Sequence, residues 1–148
     1  MLQAVCGECE TANRVAPGRD PLSAKCGRCG ARLFAGKPIE VTGAGLEKRR
    51  RQSDGVALLV DVWAPWCGPC KAMAPQFAAA AARLAPQVQL LKLNSDAEGA
   101  AAGALGVRSI PTLILFQGGR EAARSSGAMS ADQIIAWIRR ALGQSAAA

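Results

Sequence analysis

The chain has 148 residues, 50% of them hydrophobic and 20% charged, with a formal net charge of +7. That is the size and composition of a globular domain with room for a small attached module, and it excludes a disordered chain. With no His and no Tyr, Ser–His and Cys–His nucleophilic machinery and His-ligated metals are excluded, so proton transfer falls to a carboxylate, a lysine or a thiol.

The chain opens with MLQAVCGECE, which has neither a cationic start nor a long apolar stretch, so no signal peptide is expected. The expected compartment is a reducing cytoplasm, where structural disulfides are uncommon. Residues 1–37 are rich in Cys, Gly and turn formers. Their apolar residues Val5, Val15, Leu22, Leu33 and Phe34 are too few for a core, so a staple is expected. A boundary near Gly36–Pro38 divides the chain into a four-cysteine module, 1–37, and a second domain, 38–148.

From there strands and helices alternate. Ile39–Val41 reads as a short strand and Gly43–Gln52 as a weakly amphipathic helix. Val56–Trp63 is a nearly continuous apolar strand, as expected when both sheet faces are covered. The run VALLVDVWAPW is broken by Asp61 and is far too short to span a bilayer, so no membrane association is expected. Cys67–Leu84 reads as a helix with Pro69 near its start, where proline costs little, and Pro75 inside it, where a kink is expected. Val88–Leu93 is a strand, Ala97–Leu105 a short helix and Ile110–Gln117 another strand. Gly118–Gly119 is a hairpin turn into Arg120–Ser126. Ala131–Leu142 is amphipathic, with Ile134, Ile135, Trp137, Ile138 and Leu142 at helical spacing. Residues 143–148 read as a frayed tail. The order predicts an α/β fold with a mixed sheet and helices on both faces.

The excess positive charge is scattered, apart from KRRR at Lys48–Arg51. That run reads as the solvated face of its helix. Without interleaved aromatics it is a weak nucleic-acid footprint, so nucleic acid is not expected as a partner.

The six cysteines form three look-alike pairs: CGEC at Cys6–Cys9, CGRC at Cys26–Cys29 and CGPC at Cys67–Cys70. Sixteen residues separate the first two pairs, a spacing that reads as a four-cysteine zinc site. Structural zinc takes a closed tetrahedron of four thiolates, and a two-residue spacer lets one tight turn aim both sulfurs at one ion. Gly7, Gly27 and Gly30 permit the backbone angles such turns need. Two disulfides or four free thiols are the alternatives, and iron can take the same ligands. A closed site has no open position for chemistry, so the ion's expected role is folding energy.

Cys67 and Cys70 have no second pair to complete a tetrahedron. They lie where a buried strand turns into a helix, and the helix N-terminus stabilises a thiolate. Cys67 is therefore expected to be acidic and nucleophilic, and Cys70, one turn inside and more buried, to be the resolving thiol. Gly68 permits the turn and Pro69 stiffens it. Asp61, a lone carboxylate in a buried strand, is costly without a task, and desolvation is expected to raise its pKa.

The stretch VDVWAPWCGPCKAMAP resembles the active-site segment of the thioredoxins, and the likeness runs from about Ile39 to Leu142. With the four-cysteine module in front, the chain looks like the zinc-containing branch of the bacterial thioredoxins. The resemblance implies a thioredoxin fold preceded by a small zinc-ribbon-like module. It implies a monomeric general protein-disulfide reductase acting on many protein disulfides. NADPH would supply reducing power through a thioredoxin reductase, with no organic cofactor bound to this chain. It implies that Asp61 relays a proton to or from Cys70, that Lys92 interacts with Asp61, and that Pro111 is a cis proline facing the cysteines. That proline shapes the substrate groove, exposes the Ile110 backbone to an incoming strand and keeps metal off the thiols. Trp66, Gly68, Pro69, Ile110, Pro111, Gly127 and Ala128 would form the substrate-binding rim. Val62, where the family commonly has Phe, and the Ala-rich helix depart from the usual pattern without touching the chemistry. The alternative is a redox-sensing chaperone or regulator that uses the zinc module as sensor and the same fold as a binding platform.

Overall fold

The computed structural model describes residues 1–143, so the tail expected at 143–148 lies, from 144 on, outside the described residues. Two strands, β1 (Leu2–Val5) and β2 (Ala12–Val15), form an antiparallel hairpin with Leu2 opposite Val15 and Val5 opposite Ala12. A 3₁₀ turn over Pro21–Ser23 follows, its first N–H groups capped by Asp20. The remaining chain runs β3 (Ile39–Glu40), α1 (Gly43–Gln52), β4 (Ala57–Trp63), α2 (Gly68–Leu84), β5 (Val88–Asn94), α3 (Gly99–Ala104), β6 (Thr112–Gln117), β7 (Arg120–Ser126) and α4 (Ala131–Ala141).

The sheet is mixed, in the order β3-β5-β4-β6-β7, with β3, β5 and β4 parallel and β6 and β7 antiparallel. The α/β class and mixed sheet expected from the sequence are present, with most element ends within a residue or two. α3 starts later than expected because Glu98 is drawn away. Its Oε1 accepts from the Gly43 N–H at 2.6 Å, adding to the Thr42 cap of α1. β6 begins only after the cis Ile110–Pro111 bond; Ala85–Pro86 is also cis. α2 runs on through Pro75. At the β6–β7 turn both Gly118 (φ 62°) and Gly119 (φ 80°) are left-handed, the conformation a two-residue hairpin demands. A Cβ on Gly119 would also lie 2.8 Å from the Arg50 carbonyl oxygen.

Alternation along β4 divides the core. Leu58, Val60 and Val62 pack with Leu46, Leu91, Leu93, Ile114 and Phe116 on the α1/α3 face. Ala57 and Leu59 pack with Met73, Phe77, Leu90, Leu113, Ile134 and Ile138 on the α2/α4 face. Asp61 takes the next position on this second face. Val62 is fully buried with small branched neighbours, so the Phe-to-Val departure sits inside a filled layer.

Two expectations need correction. The amino-terminal apolar residues do form a core, because they share it. Val15, Leu33 and Phe34 pack with Cys6 and Cys26 and also with Val56 and Ala85 from the other part of the chain. The basic run is not simply a solvated face. Arg49 is 1% exposed. Its guanidinium donates to Glu10 Oε2 at 3.0 Å, to the Cys6 carbonyl at 3.2 Å and to the Gly45 carbonyl at 3.1 Å. Arg50 lies over the Phe116 ring and donates to the Gly119 carbonyl. Two of the four basic residues thus face protein, because a guanidinium spreads several donors over one plane, although the buried Arg49 Nε has no partner. Gln3 and Asp54 exchange backbone hydrogen bonds of 2.9 Å. Gln89 donates to the carbonyls of Val5 and Leu33. The Gln89 contacts and the packing on Val56 fall at the amino-terminal ends of β4 and β5, while the two arginines reach out from α1.

Candidate functional site

The first two cysteine pairs are built alike. The Cys6 N–H donates to the Thr11 carbonyl, and the Glu10 N–H returns to the Cys6 carbonyl. The Cys26 N–H likewise donates to the Ala31 carbonyl, and the Gly30 N–H returns to the Cys26 carbonyl. In each turn the residue after the second cysteine is left-handed: Glu10 at φ 61° and Gly30 at φ 79°. The chain doubles back, and both sulfurs face one point outside the turn. The Glu8 and Arg28 N–H groups point at Cys6 and Cys26 sulfur, each at 3.4 Å. Asn13 joins the two turns by donating to the Thr11 carbonyl and to Cys26 sulfur and accepting from the Gly27 N–H.

The turns meet with Cys6 and Cys29 sulfurs 3.6 Å apart and Cys9 and Cys26 sulfurs 3.5 Å apart. All four sulfurs lie within 4.8 Å of one another. A tetrahedral ion with metal–sulfur bonds of about 2.3 Å spaces its ligands about 3.8 Å apart, so the donor set fits one four-thiolate ion. The electrostatics agree. N–H donors, first that of Cys29 and then that of Arg28, with help from Asn13, bring Cys26 down to about 6. Cys29, despite the Ala31 N–H, is pushed up to about 12 by desolvation and by its three sulfur neighbours. Four sulfurs this close share negative charge only when a cation offsets it.

The third pair is a different object. Cys67 caps α2, its sulfur accepting from the Cys70 N–H at 3.2 Å, and the Lys71 N–H continues the helix by donating to the Cys67 carbonyl. The two sulfurs are joined in a disulfide with Cα atoms 5.3 Å apart. In this oxidised form Cys67 and Cys70 are 4% and 3% exposed. The greater burial expected for Cys70 is therefore absent. Ala64, Trp63 and Ile110 cover both sulfurs as one cluster. What distinguishes Cys67 is its place outside the helix at the cap, 3.9 Å from the Ile110 carbonyl oxygen.

Around the disulfide lie the residues assigned to the rim. Trp66 is 69% exposed, and its indole N–H donates to Asp96 at 3.1 Å. Gly68, Pro69, Gly127 and Ala128 are exposed, Ile110 half-buried and Pro111 buried. The Gly127 N–H donates to the Pro111 carbonyl at 2.9 Å, which brings the β7–α4 loop beside the cis proline. The rim residues from three loops thus converge on one edge of the molecule.

Behind the disulfide Asp61 is 1% exposed, and neither carboxylate oxygen has a protein partner. Burial pushes its carboxyl up to about 7, against the pull of Lys92 and with a further push from Glu40. Lys92 is the in-register neighbour of Asp61, and its ammonium lies over the Trp63 ring at 4.4 Å. No hydrogen bond joins Asp61 to either sulfur; Trp63 packs on the cysteine cluster while stacking under Lys92. Glu40 was not anticipated. Its carboxyl is raised by partial desolvation, opposed by Lys92 and Trp63. Only strand register could have found it, since Glu40 and Asp61 are two strands apart.

The thioredoxin family model matches residues 39–140. Thioredoxin C-3 of Corynebacterium nephridii is 38% identical over 140 residues, covering 95% of each chain, so that likeness extends into the amino-terminal segment. A thioredoxin of Pseudomonas aeruginosa is 40% identical over 100 residues, 68% of this chain and 92% of that one. Among solved structures, thioredoxin f of spinach chloroplast superposes with a TM-score of 0.67 at 29% identity, covering 74% of this chain and 89% of that one. Among the described residues no helix is long and apolar enough to cross a membrane.

Proposed function

Since the chain belongs to the thioredoxin family and is a thiol-disulfide oxidoreductase, we propose that it is a general protein-disulfide reductase working through Cys67 and Cys70. The observation that carries this reading is the Cys67–Cys70 disulfide at the start of α2, beside the Ile110 carbonyl and with the unpartnered Asp61 carboxylate on the sheet face behind it.

In the reduced protein the Cys67 thiolate, stabilised by the Cys70 N–H and the helix N-terminus, attacks one sulfur of a substrate disulfide. That S–S bond breaks, and the departing substrate sulfur takes a proton from solvent. Cys70 then gives its proton to Asp61 through water and attacks Cys67 sulfur. The mixed disulfide opens, the second substrate sulfur leaves as a thiolate and takes a proton from solvent, and two electrons have passed to the substrate. A buried carboxyl titrating near neutrality can both accept and return that proton. Exposed Trp66, Gly127 and Ala128 and the free Ile110 backbone suit extended segments of many sequences, because backbone pairing makes few side-chain demands. An NADPH-dependent thioredoxin reductase is the proposed electron source.

Residues 1–37 are the proposed metal module and 38–148 the catalytic domain. Cys6, Cys9, Cys26 and Cys29 would hold one Zn²⁺, which supplies folding energy and no reaction step. Elemental analysis should find one zinc per chain; iron in its place would overturn the metal assignment. Cys67→Ser is expected to abolish reduction of insulin disulfides, and Cys70→Ser to accumulate substrate mixed disulfides. Full activity in Cys67→Ser would sink the reading.

A further inference from the structure

The row of side chains crossing the sheet behind the disulfide is longer than Asp61 and Lys92. Glu40 of β3 is in register with Lys92 of β5, and Lys92 is in register with Asp61 of β4. In-register neighbours on adjacent strands project from the same face. The face is that of Ala57 and Leu59, the one covered by α2 and α4. Carboxylate, ammonium and carboxylate therefore alternate from the exposed edge strand to the buried centre. β3 is the outer strand of the sheet, and Glu40 is exposed.

Within this row the polar groups are left open. Lys92 lies over the Trp63 ring, and no ion pair joins it to Asp61 or Glu40. Both Asp61 oxygens are buried without a protein partner. Two orphaned carboxylate oxygens in a folded interior are unusual, since such groups are nearly always paired with protein or water. An ammonium shared between two carboxylates commits to neither, so it stays at its stacking position instead of closing on Asp61.

We propose that Glu40 is a positioning residue for the reaction. Its carboxylate, in register on the far side of Lys92, holds the ammonium from pairing fully with Asp61 and so sets the field in which Asp61 accepts and releases its proton. The inference rests on the disulfide-reductase reading for its kinetic consequence, but the placement of the charges stands apart from it. The step balances within that cycle. The proton that Asp61 accepts from Cys70 passes to solvent water once the Cys67–Cys70 disulfide has formed, and no further electron donor is involved. The groups facing Asp61 are few. β5 offers Lys92 and β3 offers Glu40, while its β6 neighbour is the apolar Leu113. The buried face of α2 carries Cys70, Met73 and Phe77, and that of α4 carries Ile134, Ile135 and Ile138.

The test compares Glu40→Gln and Glu40→Asp with the parent in the full-length, metal-loaded protein. One readout is the Asp61 carboxyl titration in the reduced protein, followed by carbon NMR. The other is the pH profile for reduction of a peptide disulfide. Two strand spacings separate the carboxylates by about 10 Å, so removing the Glu40 charge should lower the Asp61 midpoint by about one pH unit. The rate profile of Glu40→Gln should move the same way, while Glu40→Asp stays near the parent. Gln is isosteric at an exposed edge, so all three proteins fold. A Glu40→Gln midpoint equal to the parent's would overturn the proposal. So would equal shifts in both variants, since packing and not charge would then be responsible. If the parent reduced no disulfide, the reductase reading would fall, yet the NMR titration would still decide whether Glu40 acts on Asp61.

Discussion

The CGEC and CGRC turns and the CGPC elbow share a spelling and differ in everything the following residue does. After Cys9 and Cys29 the chain turns left-handed at Glu10 and Gly30 and folds back on itself. After Cys70 it continues right-handed into α2. Doubling back aims two sulfurs outward, where a second turn can meet them; entering a helix leaves two sulfurs only each other. The two kinds of site also sit at opposite ends of β4. The four-sulfur cluster packs against Val56 and the disulfide follows Trp63, about 20 Å away along the strand. One spacing thus yields a four-sulfur cluster or a disulfide according to the backbone that receives it.

The largest expected effect tests the metal half of that contrast. Cys26→Ser, or chelation of the parent, should remove a contribution of about 10 kcal/mol. Amide exchange protection across residues 2–33 should collapse, and elemental analysis should find no bound ion. Protection that survived would mean that the core shared with Val56 and Ala85 suffices alone.

The elbow half is tested by Asp61→Asn. The folded carboxyl is raised from 3.8 to about 7. Its favourable contribution is therefore complete below about pH 3.8 and lost as pH rises through about 7. Above that range the buried carboxylate costs on the order of 4 kcal/mol relative to a neutral isostere. Asp61→Asn should be the more stable protein at pH 8, equal to the parent near pH 3, and slower in disulfide exchange. Denaturant titrations at the two pH values decide it; a less stable mutant at pH 8 would contradict the burial account.

Arg49→Ala comes next, since it removes the clamp between the two regions. Glu10 is half-exposed and can regain water, so the loss is expected at about 3 kcal/mol, below that for stranding a fully buried charge. Proteolysis should then release the amino-terminal segment first. The smallest effect sharpens the turn comparison. Gly30→Ala meets no atom within 4 Å, so its cost of about 1 kcal/mol comes from the left-handed backbone alone, and Gly30→Asn should recover part of it. Equal thermal midpoints for the three proteins would show that the turn relaxes.

Much of this was legible before any coordinates. The continuous apolar run of β4 marked a strand covered on both faces, and Ile134, Ile135 and Ile138 at helical spacing marked α4. The paired spacings of Cys6, Cys9, Cys26 and Cys29 marked four sulfurs that come together closely enough to hold a metal ion. Each of these is a local pattern, set by strand alternation, helix periodicity or the reach of one turn. Arg49 and Glu40 were not legible in this way. A basic run in a helix reads the same whether it faces water or a carbonyl from a segment 43 residues away. A glutamate in a two-residue strand gives no sign of which lysine lies beside it. Residue type and spacing determined that sulfurs two residues apart can reach one ion or one another. Tertiary structure decided which charges are buried and whom they face, because burial and strand register are properties of what packs from elsewhere in the chain.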